Sequence, residues 1–162
     1  MNIASQTYGW IEGERPILIT PDAYRSILTQ AQSDAPIESC GYALGIEDGE
    51  GLLITENYQL TNIDHSAEHF SLDPKEQFAA IKYARQHGLK VVGNWHSHPA
   101  SPSRPSEEDK RLAFDPNAYY LIFSLSPDVS GQPYVETGAP VLNAFRIVDG
   151  TVTRFPVLIK KG

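Results

Sequence analysis

Two segments of this chain open with a capping residue fused to proline, Thr20-Pro21 and Asp73-Pro74. Proline fits the first turn of a helix and almost nowhere else in it, so each pair fixes a helix start. After Thr20-Pro21, Tyr24, Ile27 and Leu28 recur at helical spacing, and the helix should stop near Ser33-Asp34 because Pro36 cannot continue it. After Asp73-Pro74, Glu76 sits where a capping box places its acid. Phe78, Ile81 and Ala84, with Ala80 beside them, form the expected buried stripe, and Gly88 the C-terminal cap. Around these helices lie short apolar runs read as strands: Ile17–Ile19, Ile37–Ile46, Leu52–Leu60, Leu89–Trp95 and Tyr119–Leu125. The turn from Glu47 to Gly51 makes a hairpin of the second and third runs. Val141–Val148 and Thr151–Ile159, joined at Asp149-Gly150, read as a second hairpin, with Pro156 placing the last strand at a sheet edge. Helices between strands, with hairpins on either side, predict one α/β domain over residues 1–162 built on a mixed sheet. Residues 1–15 read as a loose polar arm.

Composition narrows the functions. With 13 Lys and Arg against 20 Asp and Glu, the net charge of -7 argues against a nucleic-acid or anionic-membrane binder. No run is long and apolar enough to span a bilayer, and Met1–Trp10 lacks the cationic start and apolar core of a secretory signal. Cys40 is the single cysteine, so no intrachain disulfide forms; the expectation is a cytoplasmic protein whose metal sites rely on His and carboxylates.

One segment concentrates chemistry: Gly93-Asn94-Trp95-His96-Ser97-His98-Pro99, running on to Pro105-Ser106-Glu107-Glu108-Asp109. Strand side chains alternate faces, so His96 and His98 point the same way, and Pro99 leaves them at the strand's end. The loop from Pro99 to Pro105 holds three prolines in seven residues and is stiff. It delivers Ser106 and Asp109 one helical turn apart. Two imidazoles and one carboxylate are the ligand set of a catalytic Zn²⁺, which keeps a fourth position for water and lowers that water's pKa to about 7. Glu38, the one carboxylate in the uncharged stretch Ile37–Ile46, is the candidate general base. Partial burial would raise its pKa toward that role.

Bland readings stand beside these. A lone His-x-His is more often surface decoration than a metal site. Ser106-x-x-Asp109 is also a capping box, and an Asp109 that binds metal is expected not to reach back to its own cap. Glu107 and Glu108 read as solvated acids at a helix start. Cys40 reads as a small buried residue under the site, and Trp95, Tyr119, Tyr120 and Phe123 as core. His65-Ser66-Ala67-Glu68-His69 matches an inverted-zincin pattern, but its flanks carry no helical stripe, so it reads as loop.

The string His96-x-His98-Pro99, six residues, Ser106, two residues, Asp109 resembles the JAMM motif of the MPN-domain metalloproteases. Glu38 before Cys40-Gly41 and Leu44-Gly45, and the stretch from Asn57 to Phe70-Ser71-Leu72-Asp73-Pro74, are similar to that family too. The resemblance covers roughly Glu38 to Ser126. It implies that His96, His98 and Asp109 bind Zn²⁺, that Glu38 is general base and acid, and that Ser106 supports the oxyanion. It also implies a deaminase-like α/β/α sandwich with a curved mixed sheet and flanking helices. The implied reaction is hydrolysis of a peptide or isopeptide bond after the C-terminal Gly-Gly of a ubiquitin-like protein. The chain is similar to compact bacterial members, so the lead substrate class is a sulfur-carrier protein that releases an amino acid such as cysteine. A non-catalytic MPN scaffold for a ubiquitin-like partner is the alternative, against which the complete motif counts. A zinc deaminase would need a Pro-Cys-x-x-Cys motif that this chain lacks.

Overall fold

The structure is a computed structural model describing residues 10–113, 115–125 and 141–161. Among the described residues, eight strands and three helices follow in the order β1 (Ile11–Glu12), β2 (Ile17–Ile19), α1 (Pro21–Asp34), β3 (Cys40–Asp48), β4 (Gly51–Leu60), α2 (Pro74–Gln86), β5 (Lys90–His98), α3 (Glu107–Arg111), β6 (Tyr119–Ser124), β7 (Val141–Val148) and β8 (Thr151–Ile159). Both proline-opened helices have their expected caps: Thr20 Oγ1 accepts from the Ala23 N–H, and the Asp73 side chain from the Lys75 N–H, while Glu76 accepts from Thr61 in place of the expected capping box.

The strands form one mixed sheet in the order β1-β8-β2-β4-β3-β5-β6-β7, and β8 pairs with β7 as well. The expected curvature is therefore carried to closure. Strands β8, β2, β4, β3, β5, β6 and β7 make a ring, and β1 continues the β2 side of β8. The α/β class and the curved mixed sheet hold, with helices packed on a sheet that closes into a ring. Closure also removes β8 from the edge. Pro156 stands opposite Asn143 of β7 and falls between Thr153-Arg154, which pair with β1, and Val157–Ile159, which pair with β2. The imino group thus sits at a gap between two ladders, where no bond is missing.

The inner core joins α1 to the sheet through Ala23, Ile27 and Ala31 against Ile19, Ala43, Ile54, Trp95, Leu121 and Phe123. A second cluster places Ala80 and Ala84 of α2 on Cys40, Tyr42 and Leu44 of β3. Here the expected stripe is corrected: Phe78 is 72% and Ile81 43% exposed, because α2 approaches the sheet through its alanines. Small side chains bring the helix close, and the large ones are left outside.

The arm is corrected as well. Trp10 is buried, and Ile11-Glu12 pair with Thr153-Arg154. Glu12 accepts a bidentate ion pair from the buried Arg154, with contacts from 2.7 to 3.1 Å. Residues 1–9 lie outside the described residues. No helix among the described residues is long and apolar enough to cross a membrane.

Candidate metal centre

Strands β3 and β5 pair antiparallel, with Cys40 opposite His96 and Gly41 opposite Trp95. Cross-strand partners share a face, so Cys40 lies directly beside His96 and is buried, as expected. Continuing that register backwards brings Ser39 to Ser97 and Glu38 to His98. The hydrogen bonds agree: the Ser39 N–H donates to Ser97 Oγ at 2.7 Å, and the Ser97 N–H to the Ser39 carbonyl at 2.9 Å. Sequence spacing alone did not link Glu38 to the histidines; strand register does. Gly41 permits the approach, since a Cβ there would lie 2.4 Å from Trp95 Nε1. That indole instead donates to Asn57 Oδ1, Asn57 donates to Gln30 of α1, and Gln30 donates to the Cys40 carbonyl.

Strand β5 ends at His98, where Pro99 stops it. The Pro-rich loop then returns and is pinned from below. Ser103, fully buried, donates to the Ile122 carbonyl, and Ser124 Oγ donates to the Ser101 carbonyl. Asn143 donates to the Ser103 carbonyl and accepts from Arg154, which is tied to Glu12. The loop's position is thus fixed by a chain of partners reaching β1, a role for Ser103, Asn143 and Arg154 that no local sequence signal marked.

The loop delivers α3, which spans Glu107–Arg111. Ser106 caps it by accepting the Asp109 N–H at 3.0 Å, and Asp109 Oδ2 accepts the Ser106 N–H at 2.9 Å. The capping box and the cluster therefore coexist. Asp109 Oδ1 lies 3.4 Å from His96 Nε2, and Oδ2 lies 3.5 Å from His98 Nε2. Each carboxylate oxygen has two lone-pair directions, and Oδ2 uses one for the cap.

The two Nε2 atoms are 3.1 Å apart. Lone pairs at that distance repel unless a proton or a cation lies between them. Tetrahedral ligands at Zn–N and Zn–O lengths of about 2.0–2.1 Å are about 3.3 Å from one another. The two imidazoles are near that separation, and each lies 3.4–3.5 Å from a different Asp109 oxygen; among the described residues these three side chains are the group able to hold an ion, one donor atom from each lying within 4.8 Å of the others. His98 Nδ1 donates to the Pro102 carbonyl at 2.8 Å, which presents Nε2 to the cluster. His96 has no partner at Nδ1; its ring stacks on Phe70 with centroids 4.6 Å apart. The donor set fits a zinc-type cation.

Electrostatics separate the members. Burial pushes His96 below its ordinary pKa, outweighing Asp109. Burial acts on His98 in the same direction, but Asp109 and the Pro102 carbonyl outweigh it and hold His98 above its usual value. Burial works against Asp109 ionising, yet hydrogen bonds from His96 and His98 hold its carboxyl well below the carboxylate range. Glu38 is 6% exposed, and burial pushes its carboxyl up to about 7, with His98 opposing and Asp109 reinforcing.

Asn62 is a site-building residue that sequence reasoning missed. It is buried in the loop between β4 and α2, and its amide donates to the Glu38 and His69 carbonyls at 3.0 Å each. Its oxygen accepts from the Asp64 and Ser71 N–H groups. The loop brings Phe70 onto His96 and carries His65-Ser66-Ala67-Glu68-His69, which is not helical, as expected.

The comparisons with known proteins point to one family. The family model described as prokaryotic homologs of the JAB domain matches residues 20–135. A CysO-cysteine peptidase of Mycobacterium tuberculosis is 30% identical over 141 residues, covering 87% of this chain and 89% of that protein. A desampylase of Haloferax volcanii is 34% identical over 117 residues, covering 68% and 80%. The solution structure of a Desulfitobacterium hafniense protein superposes with a TM-score of 0.76 at 41% identity, over 90% of this chain and 94% of that one. A JAB1/MPN domain protein of Archaeoglobus fulgidus shares the fold, with a TM-score of 0.52 at 23% identity over 90% and 99%. On the match of its fold and of most of its length, the chain belongs to the prokaryotic family of JAB-domain proteins.

Proposed function

We propose that this chain is a zinc-dependent peptidase that hydrolyses the bond after the C-terminal Gly-Gly of a ubiquitin-like or sulfur-carrier protein. The observation that carries the reading is the cluster of donor atoms on His96, His98 and Asp109, within 4.8 Å of one another, with the buried Glu38 across the strand pair from His98. The relatives named for cysteine release from CysO and for desampylation support the substrate class, and a carrier bearing C-terminal cysteine is the first candidate. The reading places the protein in the cytoplasm.

His96 Nε2, His98 Nε2 and an Asp109 oxygen would hold the ion. Zn²⁺ bound there supplies Lewis acidity to the scissile carbonyl and to a water molecule. Glu38 does the proton work. A carboxyl poised near 7 takes a proton from the attacking water and returns it to the departing amine, since either state is accessible near neutral pH. Ser106 Oγ already accepts the Asp109 N–H, which leaves its own proton free to donate to a developing oxyanion. Phe70 and the Asn62-anchored loop cover His96 and limit water beside it.

Metal content and turnover, measured together on two variants, test the assignment. Glu38→Gln should keep one zinc per chain and lose turnover by about 10²-fold or more. Asp109→Ala should lose both. Full turnover in Glu38→Gln would remove Glu38 as the base; stoichiometric zinc with no turnover in the unmodified protein would favour the scaffold reading.

A further inference from the structure

Closure of the sheet gives the ring two ends. Glu38, His96 and His98 lie at the end where β3 starts and β5 finishes. At the opposite end is a cavity of about 590 Å³. All seven strands of the ring contribute to its wall, through Ile17 of β2, Glu47 of β3, Leu52 of β4, Val92 of β5, Tyr119 of β6, Arg146 of β7 and Phe155 of β8. Six residues of β5 separate Val92 from His98, which at strand rise is roughly 20 Å. The cavity is the mouth of a closed sheet, a common place for a small-molecule site, and its size falls in the usual range for one.

Its charges are mostly paired. Glu12 is held by Arg154, and Glu47 by Lys90 at 2.8 Å. Glu14 and Arg15 lie on the exposed rim. Arg146 differs: its guanidinium lies over the Tyr119 ring, 4.5 Å from the centroid. Its Nε is buried with no hydrogen-bond partner, and among the described residues the group makes no ion pair. A buried guanidinium N–H without an acceptor is costly, and a carboxylate satisfies it in bidentate fashion. Tyr119 stacks on one side of that charge, and Phe155 meets the Tyr119 ring edge-on at 5.3 Å. The Arg146 guanidinium, beside the apolar Ile17, Val92 and Phe155 of the same cavity, suits a single negative charge on an apolar body. A phosphate would want more donors.

We propose that this cavity binds a small organic monocarboxylate, its carboxylate on Arg146 and its apolar body against Ile17, Val92 and Phe155. The site stands independently of the metal centre and of the reaction assigned there.

The test is an NMR titration of the full ¹⁵N-labelled chain with sodium benzoate, following the Arg146 Nε–H signal and the backbone amides. Benzamide and inorganic phosphate serve as the uncharged and the non-apolar probes. Saturable shifts at Arg146, Tyr119 and Val92, with a Kd of about 1 mM, are expected for a ligand this small. Arg146→Gln should weaken binding about tenfold or more, and Arg146→Lys less. The spectra of the variants report their folding directly. Absence of saturable shifts up to roughly 20 mM benzoate, or equal binding by folded Arg146→Gln, would overturn the site. Equal shifts with phosphate would overturn the ligand class.

Discussion

Replacing Glu38 by glutamine should stabilise the metal-free protein, and the gain should depend on pH. Glu38 is 6% exposed, and burial pushes its carboxyl from an ordinary 4.5 to about 7. A pKa raised in the folded state means that the neutral form suits the fold and the charged form does not. The contribution is fully present below about pH 4.5 and is lost as pH rises through 7. The shift corresponds to about 3 kcal/mol once the group is ionised in both states. Glutamine keeps the shape and never ionises. Relative to the unmodified chain, Glu38→Gln should therefore gain about 2.5 kcal/mol between pH 5 and pH 8. For a chain of this size that is a rise of about 5–10 °C in relative Tm. Thermal unfolding followed by circular dichroism in excess chelator, at pH 5, 6, 7 and 8, measures it. A Tm difference that is the same at pH 5 and pH 8 would refute a buried, destabilised carboxylate at position 38.

The other expectations concern the parts that hold the site. His96→Ala and His98→Ala should each lose bound zinc by elemental analysis, whereas His65→Ala should keep it, because His65 is outside the donor cluster. Glu12→Ala leaves the fully buried Arg154 without its carboxylate and should cost about 3–5 kcal/mol in urea unfolding. Burial pushes the Cys40 thiol up to about 12, so a disulfide reagent at pH 8 should modify it only after denaturation. Asn62→Ala removes two amide donors from the Glu38 and His69 carbonyls and should speed hydrogen exchange across the loop between β4 and α2 before it affects β5.

The parts of this fold that were legible in the sequence are those set by local chemistry. Thr20-Pro21 and Asp73-Pro74 start helices because a cap and a fixed φ need no tertiary help. His96 and His98 share a face because strands alternate. The relation of Glu38 to His98 was hidden, because it depends on how β3 registers against β5, and register is a property of two distant segments. Closure was hidden for the same reason: the pairing of β8 with both β7 and β2 cannot be read from either strand alone. Pro156 misled because its missing N–H is harmless in a gap between two ladders, which a single sequence does not reveal. Phe78 and Ile81 misled because hydrophobic spacing cannot tell which face of α2 will pack, and the close approach was won by Ala80 and Ala84.

The most direct test of the proposed reaction is the intact mass of a Gly-Gly-ended sulfur-carrier protein extended by one cysteine, followed over time with the zinc-loaded chain. Loss of the single cysteine residue, abolished by chelator and restored by added zinc, is the expected result. An unchanged carrier mass in the presence of fully zinc-loaded protein would contradict the assigned substrate, and loss of cysteine unaffected by chelator would contradict the metal centre.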